Sequence, residues 1–447
     1  MLMLRYLLIL LLLCAATGAP LLLSADDRPS AEKQWTVREA VQHALTHNPD
    51  IGAALERIRA ADHDIERVRA VLYPRLGVSA EYHRTDNPMY SFGNILNQGV
   101  FNETINFNNP GTTDNLQAKA TVQYQLYNGG HDLAAIQAAD ERSKMSRYDH
   151  QAVRNRLEYE VVRAFYTIAQ SEDTVKIMRS AVEAIQASLQ VGRARFEEGS
   201  LLHEEVLNLE VQQARTQELY IRAEHGLKLA KHAFLSLLGL PEKTVSIDAT
   251  TESGPEVPTQ RHTHNRPELA GIAALVKAQE AHIRQARAAF LPTADAFGSV
   301  QTDKGTELEK GSGNSWVAGV RLHYTLYEGR QVEASVARAE AQWRAVKEQQ
   351  RKMKLDCNLE MEQAALALHQ EEERLKVTGA RVAAATESAR LARLRFQEGT
   401  LLTAELIDTE NRLTDARLSH DQATAARKTA IADLRRAIGL RQFDQER

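Results

Sequence analysis

The 447-residue sequence is poor in the residues that staple or interrupt a chain. It has 2 cysteines, Cys14 and Cys357, and Cys14 lies in an N-terminal apolar segment, so no disulfide framework can be built. Aromatic residues make up 6% of the chain. Its 55 lysines and arginines nearly balance 59 aspartates and glutamates, and no basic run stands out. A nucleic-acid partner therefore has no support. Beyond the N-terminal run, no apolar stretch approaches the roughly 20 residues of a spanning helix, so any membrane-crossing part must be β. Enzyme motifs are missing too: there is no Gly-rich phosphate loop, no His-Glu-x-x-His and no Gly-x-Ser-x-Gly. His43 and His47 sit four apart on an expected helix, and His262 and His264 two apart in a polar segment, but neither pair has an evident third zinc ligand. We expect neither cofactor nor metal.

The first thing present is an export signal. Arg5, an apolar run from Leu7 to Leu13 and small residues from Ala15 to Ala19 make residues 1–19 a secretory signal, with cleavage after Gly18 favoured over Ala19 because Pro20 follows. Cys14 is removed with it or carries lipid; Leu13 before it is bulkier than a lipobox normally tolerates.

The second is duplication. Tyr124-Gln125-Leu126-Tyr127-Asn128-Gly129 recurs 200 residues later as Tyr324-Thr325-Leu326-Tyr327-Glu328-Gly329. Arg193-Ala194-Arg195-Phe196-Glu197-Glu198-Gly199-Ser200-Leu201-Leu202 recurs at the same shift as Arg393-Leu394-Arg395-Phe396-Gln397-Glu398-Gly399-Thr400-Leu401-Leu402. Gly239-Leu240 recurs as Gly439-Leu440. A fixed shift over so long a span means element lengths are held, as a structural unit requires. The repeats cover 35–240 and 263–440, and a Pro/Thr/Ser/Glu-rich connector, 241–262, joins them.

Within each repeat a helix is expected to end where a proline forces the preceding residue extended, at Tyr73 before Pro74 and Leu291 before Pro292. The first helical region, from Trp35 to Tyr73, is interrupted at Asn48-Pro49, whose counterpart is Asn265-Arg266-Pro267. Period-two alternation follows: strands are expected at 75–83, 116–126, 293–301 and 316–326, the third a poorer match with Phe297 out of phase. Such runs suit tilted transmembrane strands, or soluble hairpins wet on one face. Asn- and Gly-rich loops, 84–115 and 302–315, join each pair. Then 131–198 and 331–398 run without proline, each long enough to reach roughly 100 Å as helix. Val175, Met178, Val182, Ile185, Leu189, Gly192 and Phe196 step by three and four, which demands a coiled-coil partner. Gly199 and Gly399 end these helices, and return helices run to Gly239 and Gly439.

Four amphipathic strands cannot close a barrel, and lipid tolerates no open sheet edge. Barrels need at least about eight strands, so closure must be shared; three chains would supply twelve. This organisation resembles the TolC-like outer-membrane efflux proteins, over essentially everything after the signal. The resemblance rests on the duplicated strand pair and helical hairpin, on Pro74 and Pro292 at the helix-to-strand junctions, on Leu126-Tyr127-x-Gly129 and Leu326-Tyr327-x-Gly329 re-entering helix, and on the Arg-Phe-x-x-Gly-[Ser/Thr] turns.

It implies a mainly helical chain with membrane β: a homotrimer whose 12-stranded β-barrel lies in outer-membrane lipid and continues as a periplasmic α-helical barrel. It also implies a passive exit duct of a tripartite efflux pump or type I secretion system in the Gram-negative outer membrane. Its partners would be a periplasmic membrane-fusion adaptor and an inner-membrane transporter. Carried over, Gly199, Ser200, Leu201, Gly399, Thr400 and Leu401 become adaptor contacts at the periplasmic tip, though these turns also simply cap two helices. Glu405 and Asp408, three apart on one helical face, become a cation-favouring ring at the pore constriction, or else a solvated surface; the first repeat has Glu205 and Asn208 instead. Leu401 stands where relatives with a salt-bridge latch place an arginine, which points to a looser or apolar closure. The competing reading is a soluble periplasmic coiled-coil adaptor or scaffold, which the paired strands at homologous positions disfavour.

Overall fold

The computed structural model describes residues 34–241, 244–249, 254–259, 262–307 and 310–443. The segment read as a signal, with Cys14, and parts of the connector lie outside these residues. The chain opens with β1 (Gln34–Trp35), so Trp35 is extended rather than helical and pairs with Ile247 in a short parallel ladder. The helix starts only after Thr36, which is held extended as its cap. The Thr36 hydroxyl accepts from the Glu39 amide at 3.3 Å while the Glu39 carboxylate accepts from the Thr36 amide at 3.2 Å, a reciprocal box that needs an extended residue before α1 (Val37–His47). Asn48 then caps α2 (Pro49–Arg69), its side chain accepting from the Asp50 amide at 2.7 Å. A 3₁₀ turn over Ala70–Leu72 leads to Tyr73, extended at φ −109° as the following Pro74 requires.

Four strands form one antiparallel sheet in the order β2 (Arg75–Thr85), β3 (Thr113–Tyr127), β5 (Thr293–Lys304), β6 (Ser312–His323). They run longer than the alternation suggested at their outer ends, while β6 stops three residues short of 326. The sheet therefore joins the two repeats through β3 and β5, leaving β2 and β6 as edges among the described residues. Cross-strand register puts Val78, Ala120, Val300 and Trp316 in one row, and Leu76, Val122, Gly298 and Ala318 in another. This apolar face is bare: Val78 is 87% exposed, Leu76 81% and Trp316 77%. The opposite face carries Arg75, Glu81, Lys119, Gln123 and Arg321. Phe297 belongs to that polar face, where it fills the space left by Gly319 across the ladder and lies under the Arg321 guanidinium, 5.1 Å from the ring centre. Its break in phase is a filled gap, not a shift in register.

The loop between β2 and β3 holds a helix that the composition of 84–115 hid, α3 (Pro88–Asn97), capped by Asn87. Its Asn94 donates to the Thr113 hydroxyl at 3.0 Å, and Gln98 just beyond it donates to the Asp114 carbonyl at 2.7 Å. Asp114 in turn accepts from the Thr306 hydroxyl at 2.6 Å, so both outer loops are tied together.

From Gly130 the chain enters α4 (His131–Glu197), turns, and returns as α5 (His203–Leu238). After β4 (Ser246–Ile247), the second repeat supplies α6 (Pro267–Arg287), a 3₁₀ turn over Ala288–Phe290, then α7 (Gln331–Gln397) and α8 (Thr403–Ala437). α4 and α7 have 67 residues each, roughly 100 Å at 1.5 Å per residue. The interior is a row of separate cores along their length. The largest lies midway, where α1, α4 and α5 bury Val41, Val161, Phe165 and Phe234 with Ile247. At its level Asn48 donates to the Leu237 carbonyl at 2.9 Å, and its counterpart Arg266 donates to the Ala437 carbonyl at 3.3 Å, so each returning helix is fastened to the start of its repeat. No helix among the described residues is long and apolar enough to cross a membrane.

Candidate functional site

The end of the molecule remote from the sheet is built from two nearly identical hairpins. At the first, the Gly199 amide donates to the Phe196 carbonyl at 2.9 Å and the Ser200 amide to the Arg195 carbonyl at 2.8 Å; at the second, Gly399 donates to Phe396 at 3.2 Å and Thr400 to Arg395 at 2.9 Å. This paired bonding satisfies carbonyls that a helix end leaves orphaned, and it needs a left-handed residue, supplied by Gly199 at φ +75° and Gly399 at φ +80°. The Ser200 and Thr400 hydroxyls donate to the same Arg195 and Arg395 carbonyls, at 3.0 and 3.1 Å, which explains why both repeats keep a hydroxyl there.

Of the six tip residues expected to face an adaptor, the structure exposes Gly199, Ser200, Gly399 and Thr400. Leu201 and Leu401 are turned inward. Each is 9% exposed and packs with Ile185, Leu189, Val206, Leu209, Phe396 and Leu406 in a small core that seals the hairpins. Leu402 and Leu202 face outward instead, at 62% and 69%. The turn leads the chain inward for one residue and out for the next, so the motif's second leucine, not its first, is presented.

Two interactions at the tip went unassigned in the sequence. Arg193 donates to Glu210 at 2.7 Å, and Arg393 grips Glu410 with two nitrogens, Nη2 to Oε2 at 2.7 Å. The hydrogen bonds to Glu410 push the Arg393 guanidinium above its ordinary value. The signal was available: both arginines lie in the repeated Arg-x-Arg-Phe run, and both glutamates recur at the same shift. Arg195, in the same run, crosses between repeats. It donates to the Phe396 carbonyl at 3.0 Å and lies over the Phe396 ring, 5.3 Å from its centre.

Glu405 and Asp408 both lie exposed on the first turns of α8. Asp408 is paired with Arg412 at 2.6 Å, one turn on, whereas Glu405 has no side-chain hydrogen bond or ion pair among the described residues. The acidic face is thus partly neutralised from within its own helix.

At the junctions, Pro74 and Pro292 follow the 3₁₀ turns, and Gly129 and Gly329 precede the long helices, at φ +65° and +59°. A side chain on Gly129 would meet the Ala288 carbonyl at 2.6 Å; nothing lies within 4 Å of one on Gly329. Of the histidines, His43 and His47 stack at 4.0 Å, and no group of three possible metal ligands converges among the described residues.

An open amphipathic sheet entered through two proline junctions and left through Gly129 and Gly329 into paired long hairpins is the protomer plan of a barrel-and-tunnel channel. The match is specific: residues 40–240 and 259–440 fit the outer membrane efflux protein family, and the chain belongs to that family. It is accordingly an efflux channel of the Gram-negative outer membrane that extends into the periplasm, and the scaffold alternative falls. Protein CyaE of Bordetella pertussis is 24% identical over 68% of this chain and 63% of its own length. Pyoverdine export outer membrane protein OpmQ of Pseudomonas aeruginosa is 21% identical over 95% of this chain and 94% of its own. Among solved structures, the outer-membrane channel OprN superposes with a TM-score of 0.78 at 19% identity, covering 90% of this chain and 89% of that one.

Proposed function

We propose that three copies of this chain form one passive duct, each exported by the secretory signal at residues 1–19, with repeats 35–240 and 263–440 alternating around a shared axis and 241–262 joining them. The carrying observation is the four-stranded sheet whose apolar face is bare and whose two edges are unpaired among the described residues. Lipid tolerates neither open edge, and three sheets edge to edge give twelve strands. An inner-membrane transporter drives cargo into the helical tunnel, and a periplasmic membrane-fusion adaptor docks on the exposed tip at Gly199, Ser200, Leu202, Gly399, Thr400 and Leu402. The family fit supports this assembly, and the outward leucines supply apolar anchors for the adaptor. Detergent-solubilised protein is expected to have the mass of a trimer and to conduct in planar bilayers; a non-conducting monomer would overturn the proposal.

The constriction belongs to Glu405, with Asp408 beside it. Because Arg412 already neutralises Asp408, Glu405→Ala is expected to remove most of the cation preference and to raise open conductance, with Asp408→Ala adding less. Unchanged ion selectivity in the double variant would remove this face from the pore. Gly199→Arg and Gly399→Arg are expected to abolish export while trimers still assemble.

A further inference from the structure

The duplication supplies a template for contacts that a single chain leaves unmade. Inside the chain the first repeat meets the second along one seam: β3 against β5, α4 against α6 above and α8 below. The mirror-image set, in which the second repeat meets a first repeat, would join β6 to β2 and α7 to α2 and α5. Within the chain these flanks have no such partner, and they carry bare apolar side chains, among them Val377 and Leu366 on α7 and Val211 and Leu229 on α5.

Residues of the internal seam differ from their counterparts in just the way an unmade copy would. Arg195 caps the α7 C-terminus at the Phe396 carbonyl, and Phe396 is 1% exposed. Its counterpart Arg395 is exposed with no side-chain hydrogen bond or ion pair among the described residues, and Phe196 is 43% exposed. Gly129 is pressed against the Ala288 carbonyl, whereas Gly329 faces open space. In the sheet, Thr121 faces Ser299; their counterparts, by the 200-residue shift and the Pro74–Pro292 spacing, are Arg321 and Glu81, which carry opposite charge.

We propose that Arg395 is an inter-subunit lock: it caps the α4 C-terminus of the neighbouring subunit at the Phe196 carbonyl and covers that Phe196 ring, reproducing between chains what Arg195 does within one. The contact is head-to-tail, so it closes a ring rather than a two-fold pair. At the tip it makes alternate hairpins equivalent, so that intra-chain and inter-chain locks together hold the tip shut. This rests on the trimeric duct proposed above.

The test pairs cross-linking with conductance. In the full-length protein, Arg395→Cys with Ser200→Cys, treated with a short bis-maleimide, is expected to give dimer and trimer bands on denaturing gels, which neither single variant gives. Arg395→Ala is expected to raise bilayer conductance by the same factor as Arg195→Ala, with trimer mass unchanged and Arg395→Lys recovering part of the closure. A wild-type trimer that conducts, with no cross-linked ladder and an Arg395→Ala variant of wild-type conductance, overturns the lock and leaves the duct standing. A wild-type protein that is monomeric and non-conducting overturns both.

Discussion

Single side chains at the tip and along the tunnel carry unequal shares of the stability. Glu410 is 9% exposed and held by Arg393, whereas the equivalent Arg193–Glu210 pair is half exposed. Arg393→Ala strands a nearly buried carboxylate and is expected to cost about 1–3 kcal/mol. Arg193→Ala is expected to cost less than about 1 kcal/mol, as exposed pairs do. Thermal unfolding of the two variants in detergent should separate them in that order. Farther up α8, burial and the nearby Asp173 carboxylate push Asp421 from 3.8 to about 6, with Lys176 and Thr174 opposing. A carboxyl whose folded pKa is raised binds its proton more tightly in the folded state. Its contribution is complete below about pH 3.8 and is lost as pH rises through about 6. Asp421→Asn is therefore expected to stabilise the protein at pH 7 and to lose that advantage below pH 4, read as melting temperature against pH.

Elements differ in how openly the sequence announced them. The sheet's lipid face was legible because the side-chain period in a strand is two, and Val78 lies at its centre between Leu76 and Ala80. Val78→Lys is expected to cost about 2–4 kcal/mol if that position lies near the bilayer midplane, measured as reduced folding yield into vesicles. The tip turns were legible too, since a glycine followed by a hydroxyl after a helical run specifies its own hydrogen bonds. Which leucine points outward was not: Leu201 and Leu401 are buried in one cluster that both hairpins share, with Leu209 from the first and Phe396 and Leu406 from the second. α3 is hidden among asparagines and glycines, although Asn87-Pro88 repeats the Asn48-Pro49 start signal. Nothing local marks Trp35 as a strand residue, because its partner Ile247 lies more than 200 residues away in sequence. The Arg193 and Arg393 pairs were written in the repeat, but a charge's partner is set by how two helices face each other.

For the whole molecule, duplication within one chain would let the three subunits of the proposed duct build a wide ring, since each brings two hairpins and four sheet strands. The inter-repeat contacts of a chain and the contacts between chains should then fail separately. Gly129→Ala drives a Cβ into the Ala288 carbonyl and is expected to reduce the folded chain itself. Gly329→Ala meets nothing within its own chain, so it should leave the monomer helical and lower the trimer yield, seen by circular dichroism and native mass respectively.

The unpaired borders at β2 and β6 have a kinetic corollary. A newly exported chain reaches the periplasm with two adhesive strands and a greasy panel that nothing among the described residues covers. In the proposed trimer, maturation is a series of bimolecular encounters rather than a private event, competing with clumping at every step. Escort by periplasmic holding factors, and a melting midpoint that climbs as the sample is concentrated, follow directly from those two ragged rims.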